Sequence, residues 1–120
     1  MPEAAFREIV DQLRNNVAGI QAVVLLGLDG TVPAYFARDP NFRVDVFASE
    51  YSTLLRVACS ASHDIGSGEL TEYITVSERS VTVVRRLASN TYLILTSDAH
   101  DQMGRARYEI KRAALFLDRQ

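Results

Sequence analysis

Apolar residues Phe6, Ile9, Val10, Leu13 and Val17 recur at three- and four-residue intervals, with Arg7, Glu8, Asp11, Gln12 and Arg14 between them. This spacing predicts an amphipathic helix over 4–17 that lies on a core. Asn15, Asn16 and Gly19 end it, and 21–28 (QAVVLLGL) follows as an almost unbroken apolar run. Such a run is too short for a typical helix and fits a central strand covered on both faces. Asp29-Gly30 then predicts a tight hairpin of type I′, because the pair tolerates positive φ. The returning strand, 31–37, contains Pro33, which lacks an amide hydrogen and so belongs at a sheet edge.

A loop over 38–43 carries Asp39-Pro40, after which Asp45 is the expected cap of a second helix running to about Asp64. Its expected inner face is Phe47, Tyr51, Leu54, Leu55, Ala58 and Ser62. Gly66 and Gly68 stop it, and three short strands, 69–77, 80–87 and 91–97, follow as a meander of hairpins. The last, TYLILTS, is again apolar on both faces. Ser97 or Asp98 is the expected cap of a final helix with Met103, Ala106, Ile110, Ala113, Ala114 and Leu117 facing inward.

Placing the two doubly apolar strands side by side forces an antiparallel sheet of order 2-1-5-4-3, since hairpins pair neighbours. Both faces need cover. The fold class is therefore an α/β three-layer sandwich: five antiparallel strands, the two terminal helices on one face and the middle helix on the other. One domain over 4–118 accounts for the chain, with no repeat, linker or low-complexity tract.

Composition narrows the function classes. The 120 residues are 48% hydrophobic and 23% charged, with a formal net charge of -2. That is ordinary globular composition without the basic excess that steers proteins to nucleic acid or anionic lipid. One cysteine, Cys59, cannot make an internal disulfide or a multi-thiolate metal site, and the acidic start MPEAAFREIV does not suit a secretory signal, so a cytoplasmic protein is expected. No apolar stretch reaches the roughly 20 residues of a membrane span. His63 and His100 stand far apart without further ligands at metal spacing, and a catalytic zinc site needs three. Neither a nucleophile elbow nor a phosphate-binding glycine loop is present. No catalytic residue, cofactor or metal is expected.

Two features point to protein partners instead. Ala58, Cys59, Ser60, Ala61 and Ser62 leave the second half of the middle helix with little bulk all round, which allows a second helix to approach closely. The third strand, containing LTEYITV, forms the outer edge of the predicted sheet with neither Pro nor Lys to block pairing, and a twofold partner would cover it. The expected homodimer contact is Tyr51, Leu54, Leu55, Ala58, Ser62, Tyr73, Ile74 and Val76. Arg38, Arg43 and Arg79 sit in loops where an arginine finger would have to be displayed, but a solvated loop charge is the simpler reading of each. Arg85 and Arg86 point to opposite faces of one strand, so at least one must reach past a helix or find an acid.

The element order, the segment GIQAVVLLGLDGTVPAYF, the middle helix ending in HDIGSGELTEYITV, and the VVRRL strand together resemble the roadblock and dynein-light-chain family over about 6–117. That family's bacterial members include the partner protein of a gliding-polarity GTPase. The resemblance implies a profilin-like fold, dimerisation through the middle helix and third strand, and regulation of a Ras-like small GTPase as activator or scaffold, with no catalytic residue of its own. Exposed middle-helix positions Glu50, Thr53, Arg56 and Val57 are the expected GTPase contacts. The alternatives are an adaptor of the same fold that never touches a GTPase, and a PAS-type small-molecule sensor, which would need an internal pocket.

Overall fold

The computed structural model describes residues 3–120. The elements run α1 (Glu3–Asn16), β1 (Ile20–Gly27), β2 (Ala34–Ala37), α2 (Val44–Asp64), β3 (Glu72–Val76), β4 (Val81–Arg86), β5 (Thr91–Ser97), a 3-10 turn (His100–Gln102) and α3 (Met103–Asp118). The sheet is antiparallel throughout, in the expected order β2-β1-β5-β4-β3.

Alternation along β1 divides the core between two layers, because successive side chains leave a strand on opposite faces. Val23 and Leu25 join Leu93 and Leu95 of β5 beneath α1 and α3, packing with Phe6, Ile9, Leu13, Ile110 and Leu117. Ala22, Val24 and Leu26 point the other way, toward α2, with Val84, Tyr92 and Ile94. The two layers are unequal. Helix α2 contributes only Ala48, Ser52 and Leu55 as fully buried residues, whereas α3 alone buries six.

The β1–β2 hairpin closes differently from the expected type I′ turn. The Gly30 amide donates to the Gly27 carbonyl at 2.9 Å, the Gly27 amide to the Thr31 carbonyl at 2.9 Å, and only Gly30 has positive φ, at 90°. This is a type I turn followed by a left-handed residue, the usual three-residue alternative. Asp29 keeps negative φ because its carboxylate accepts from the Thr31 amide and hydroxyl. The β4–β5 hairpin repeats the geometry with Asn90, φ 65°, in the left-handed position, where a short amide side chain is tolerated. Pro33 precedes the paired part of β2, which is an edge strand as expected.

Both expected helix caps are displaced. Asp45 lies inside the first turn of α2, where it takes two hydrogen bonds from the Arg43 guanidinium at 3.0 and 3.1 Å. That bonding holds the Asp45 carboxyl below its ordinary range. Ser97 donates to the Ala18 carbonyl and accepts from the Ala99 amide, and Asp98 pairs with Arg38 at 2.9 Å. With Ser97 tied to Ala18 and Ala99 and Asp98 to Arg38, neither side chain caps α3, and the chain takes a 3-10 turn before α3 begins at Met103. The register of α3 then leaves Met103 exposed and buries Glu109, whose carboxylate is held by Asn16 and Arg112.

Candidate protein-binding surface

Helix α2 spans 21 residues, enough for two separate apolar stripes. One meets the sheet. Leu55 is 0% exposed, Cys59 lies 3.1 Å from the Tyr92 hydroxyl, and Tyr51 bonds through its hydroxyl to Thr75 Oγ1 of β3 at 2.8 Å. Burial pushes the Tyr92 phenol well up, with Cys59 adding to the shift. The second stripe faces outward. Leu54 is 41% exposed, Val57 65% and, just past the helix, Ile65 78%. Positions 54, 57, 58, 61 and 65 follow helical spacing, so these side chains form one apolar strip with Ala58 and Ala61 between the larger residues.

The expected inner face therefore needs two corrections. Leu54 lies outside, not against the sheet. Leu55 is buried in its own chain and has no surface to give to a second copy, so it drops out of the expected dimer contact. The remaining expected contact residues are half-buried or exposed: Tyr51, Ala58, Ser62, Tyr73 and Ile74 are half-buried, and Val76 is exposed. Ser62 donates to the Gly68 carbonyl at 2.8 Å, folding the segment after α2 back onto the helix. Tyr73 packs toward α2, whereas Ile74 packs under the opposite layer with α1 and α3.

Strand β3 is the outer edge, and alternate residues along it bond inward and outward. Arg86 donates to Thr71 and Ser77 donates to Ser80, so the odd-numbered residues bond across to β4. In an antiparallel ladder the alternate groups, those of Glu72, Ile74 and Val76, then point away from the sheet. Glu72 nevertheless anchors the strand. Its carboxylate accepts from Arg107 of α3 at 2.6 and 3.0 Å, and Arg85 lies 3.8 Å away.

The Arg107 hydrogen bonds hold the Glu72 carboxyl below its ordinary range. A group with depressed folded-state pKa stabilises the fold fully above its unfolded pKa, about 4.3 for Glu. That contribution is lost as pH falls through the folded-state value. The stability gap between wild type and Glu72→Gln, measured as urea midpoints, is expected to close as pH falls below about 4.3. A gap that stays constant down to about pH 2 would show that the pair does not anchor β3.

All four expected GTPase-facing residues, Glu50, Thr53, Arg56 and Val57, are exposed. Arg56 is less free than the sequence suggested, because its guanidinium reaches the Leu28 carbonyl in the β1–β2 turn and bonds Thr53 Oγ1 at 3.3 Å. Of the three loop arginines, Arg38 pairs with Asp98 and Arg43 with Asp45, while Arg79 makes no ion pair among the described residues. Arg85 and Arg86 do diverge, toward Glu72 and Glu69 respectively. His63 is exposed, and His100 Nε2 lies 2.7 Å from the Ser77 carbonyl. Among the described residues no three His, Cys, Asp or Glu side chains converge as a metal site, and no helix is long and apolar enough to cross a membrane.

This architecture, a five-stranded sheet with paired terminal helices behind and one long helix in front, defines a roadblock-type module. The family model for the Roadblock/LC7 domain matches residues 7–97, and the chain belongs to that family. Comparison with curated proteins found no match. Among solved structures, MglB of Myxococcus xanthus is similar with a TM-score of 0.88 at 17% identity, over 99% of this chain and 96% of that one. The gliding protein MglB of Thermus thermophilus gives 0.84 at 18%, over 99% and 92%. A Roadblock/LC7 domain from Streptomyces avermitilis gives 0.76 at 23%, over 90% of each chain.

Proposed function

We propose that this chain is a cytoplasmic homodimeric binding module, not an enzyme, that regulates a Ras-like small GTPase by activating or scaffolding it. The observation that carries the reading is the outward apolar strip on α2 lying beside an open β3 edge. Exposed apolar strips of this kind mark protein contacts, and an edge strand calls for a partner strand. One twofold axis satisfies both at once, pairing Tyr51, Leu54, Ala58 and Ser62 of the two helices while β3 and its copy, through the outward backbone groups of Ile74 and Val76 with Tyr73 beside them, extend the sheet to ten strands. Membership of the roadblock family and similarity to MglB structures support the GTPase as partner.

In this reading Glu50, Thr53, Arg56 and Val57 of both copies form a shared platform over the paired helices. A platform complementary to the GTP-bound switch conformation shifts the GTPase toward that state. Tenfold preference for the GTP form needs only about 1.4 kcal/mol of differential contact. The test is calorimetric titration against each small GTPase of the source organism, loaded with GDP or a non-hydrolysable GTP analogue. Tighter binding of the GTP form, weakened about tenfold by Glu50→Arg, is expected. Binding that ignores the nucleotide, or no binding to any GTPase, would overturn the regulator and leave the adaptor.

A further inference from the structure

The face of the sheet beneath α2 is apolar at its centre and polar at one end. There Gln21, Thr82 and Thr96, from three adjacent strands, form a row linked by hydrogen bonds. Thr82 Oγ1 donates to Thr96 Oγ1 at 3.0 Å, Thr96 Oγ1 to Gln21 Oε1 at 3.3 Å, and Ser80 Oγ to the same Gln21 oxygen at 2.9 Å. Thr82 and Thr96 are 4% and 6% exposed. A shift in the β1–β5 register between Ile20 and Ala22 leaves Gln21 without a pairing partner. Such bulges re-aim a side chain, and here the re-aimed residue joins Ala22 on the α2 side. Both acceptor sites of the Gln21 carbonyl are taken by hydroxyls, which leaves its amide nitrogen as a fixed donor with two hydrogens.

This row floors an open cleft of about 550 Å³ between the start of α2 and the β3–β4 turn. Its wall is aromatic: Phe42 and Phe47 have ring centroids 5.5 Å apart, and Phe47 stacks on Tyr51 at 4.6 Å. The mouth carries both charge signs. Arg38 and Asp39 are already engaged, with Asp98 and with the Asn41 amide. Glu78 and Arg79, side by side in the turn, line the mouth and make no ion pair among the described residues. Small-molecule sites are concave, of a few hundred Å³, with apolar walls and a few fixed polar groups; this cleft has the volume, one aromatic wall and a fixed polar floor, and is open at its mouth.

We propose that the cleft binds a free aromatic amino acid. The ring would lie on the Phe42–Phe47–Tyr51 wall, the carboxylate would take Arg79 and the Gln21 amide, and the ammonium would take Glu78. The mouth offers one unpaired cation and one unpaired anion in neighbouring positions, which matches a zwitterion and not a simple anion. The cleft uses none of Glu50, Thr53, Arg56 and Val57, although Phe47 lies one helical turn before Glu50 and Tyr51 also belongs to the expected dimer contact.

The test is a titration of the full chain with phenylalanine, followed by backbone amide chemical shifts. Benzoate lacks the ammonium, phenethylamine lacks the carboxylate and glycine lacks the ring. Phenylalanine is expected to shift the amides of Gln21, Ser80, Thr82 and Phe47, with each of the three controls at least tenfold weaker. Arg79→Ala, on an exposed turn and safe for folding, is expected to weaken phenylalanine about tenfold, and Gln21→Leu to do likewise. The proposal is overturned if phenylalanine moves none of these amides, or if benzoate binds as well as phenylalanine. It is also overturned if Arg79→Ala leaves binding unchanged, or if these two variants change the oligomeric state while phenylalanine has no effect, because the cleft then belongs to a subunit contact.

Discussion

Leu55→Ala is expected to lower the unfolding free energy by about 2–5 kcal/mol, the range for deleting a fully buried leucine side chain. Leu55 has no exposed surface and is the one large aliphatic side chain that α2 sends fully into the sheet. Leu55 packs in a buried layer with Val24, Leu26, Val84, Tyr92 and Ile94, most of them fixed on sheet strands that cannot move in to refill its volume. A cavity left there would collapse only in part, which places the cost toward the upper end. Urea unfolding followed by circular dichroism measures it. A loss below about 1 kcal/mol would mean that α2 is held mainly by contacts outside the single chain, as from a partner helix.

Leu54→Glu, one residue earlier, is expected to do the reverse. The side chain is 41% exposed and faces away from the sheet, so the stability of one chain should change by no more than about 0.5 kcal/mol. The proposed dimer should suffer instead. Two copies of the new carboxylate would meet near the twofold axis in a contact that excludes water, and buried unpaired charge is costly. At least a hundredfold rise in dimer Kd, about 2.7 kcal/mol, is expected, and Ala58→Glu should be as severe. Sedimentation velocity over a concentration series reads both. A wild type that is monomeric at micromolar concentration, or a Leu54→Glu protein that dimerises as well as wild type, would refute the proposed interface.

The contrast between Leu54 and Leu55 marks where sequence reading ran out. Both fit an apolar arc on a helical wheel, and α2 carries apolar residues through more than half a turn. Periodicity locates such an arc but not its midline, so the side taken by the sheet was ambiguous. The midline is set by Tyr51 bonding to Thr75 and by Cys59 meeting Tyr92, contacts between residues 24 and 33 positions apart. The outward strip through Val57 and Ile65 had a signal in the sequence, namely apolar residues continuing past the arc that one sheet can cover. The end of α2 was plain because Gly66 and Gly68 follow it, both at positive φ. Its start was not, because Asp45 lies inside the first turn and pairs with Arg43, which holds the cap position.

Strand order and layering were legible in the chain alone. Two runs apolar on both faces can only lie in the middle of a sheet, tight links force neighbouring strands to pair, and Pro33 restricts its strand to an edge. These are local constraints, and they act wherever the chain goes. How distant side chains meet is a matter for the folded molecule. The Glu72–Arg107 anchor, the Arg38–Asp98 pair that displaces the α3 cap, and the Gln21–Thr82–Thr96 row each join residues from separate elements. Their polar groups could have been satisfied by water or by neighbours in the chain, so composition and spacing leave their partners open. The choice is made when packing brings them within hydrogen-bond reach and removes the water that would otherwise compete.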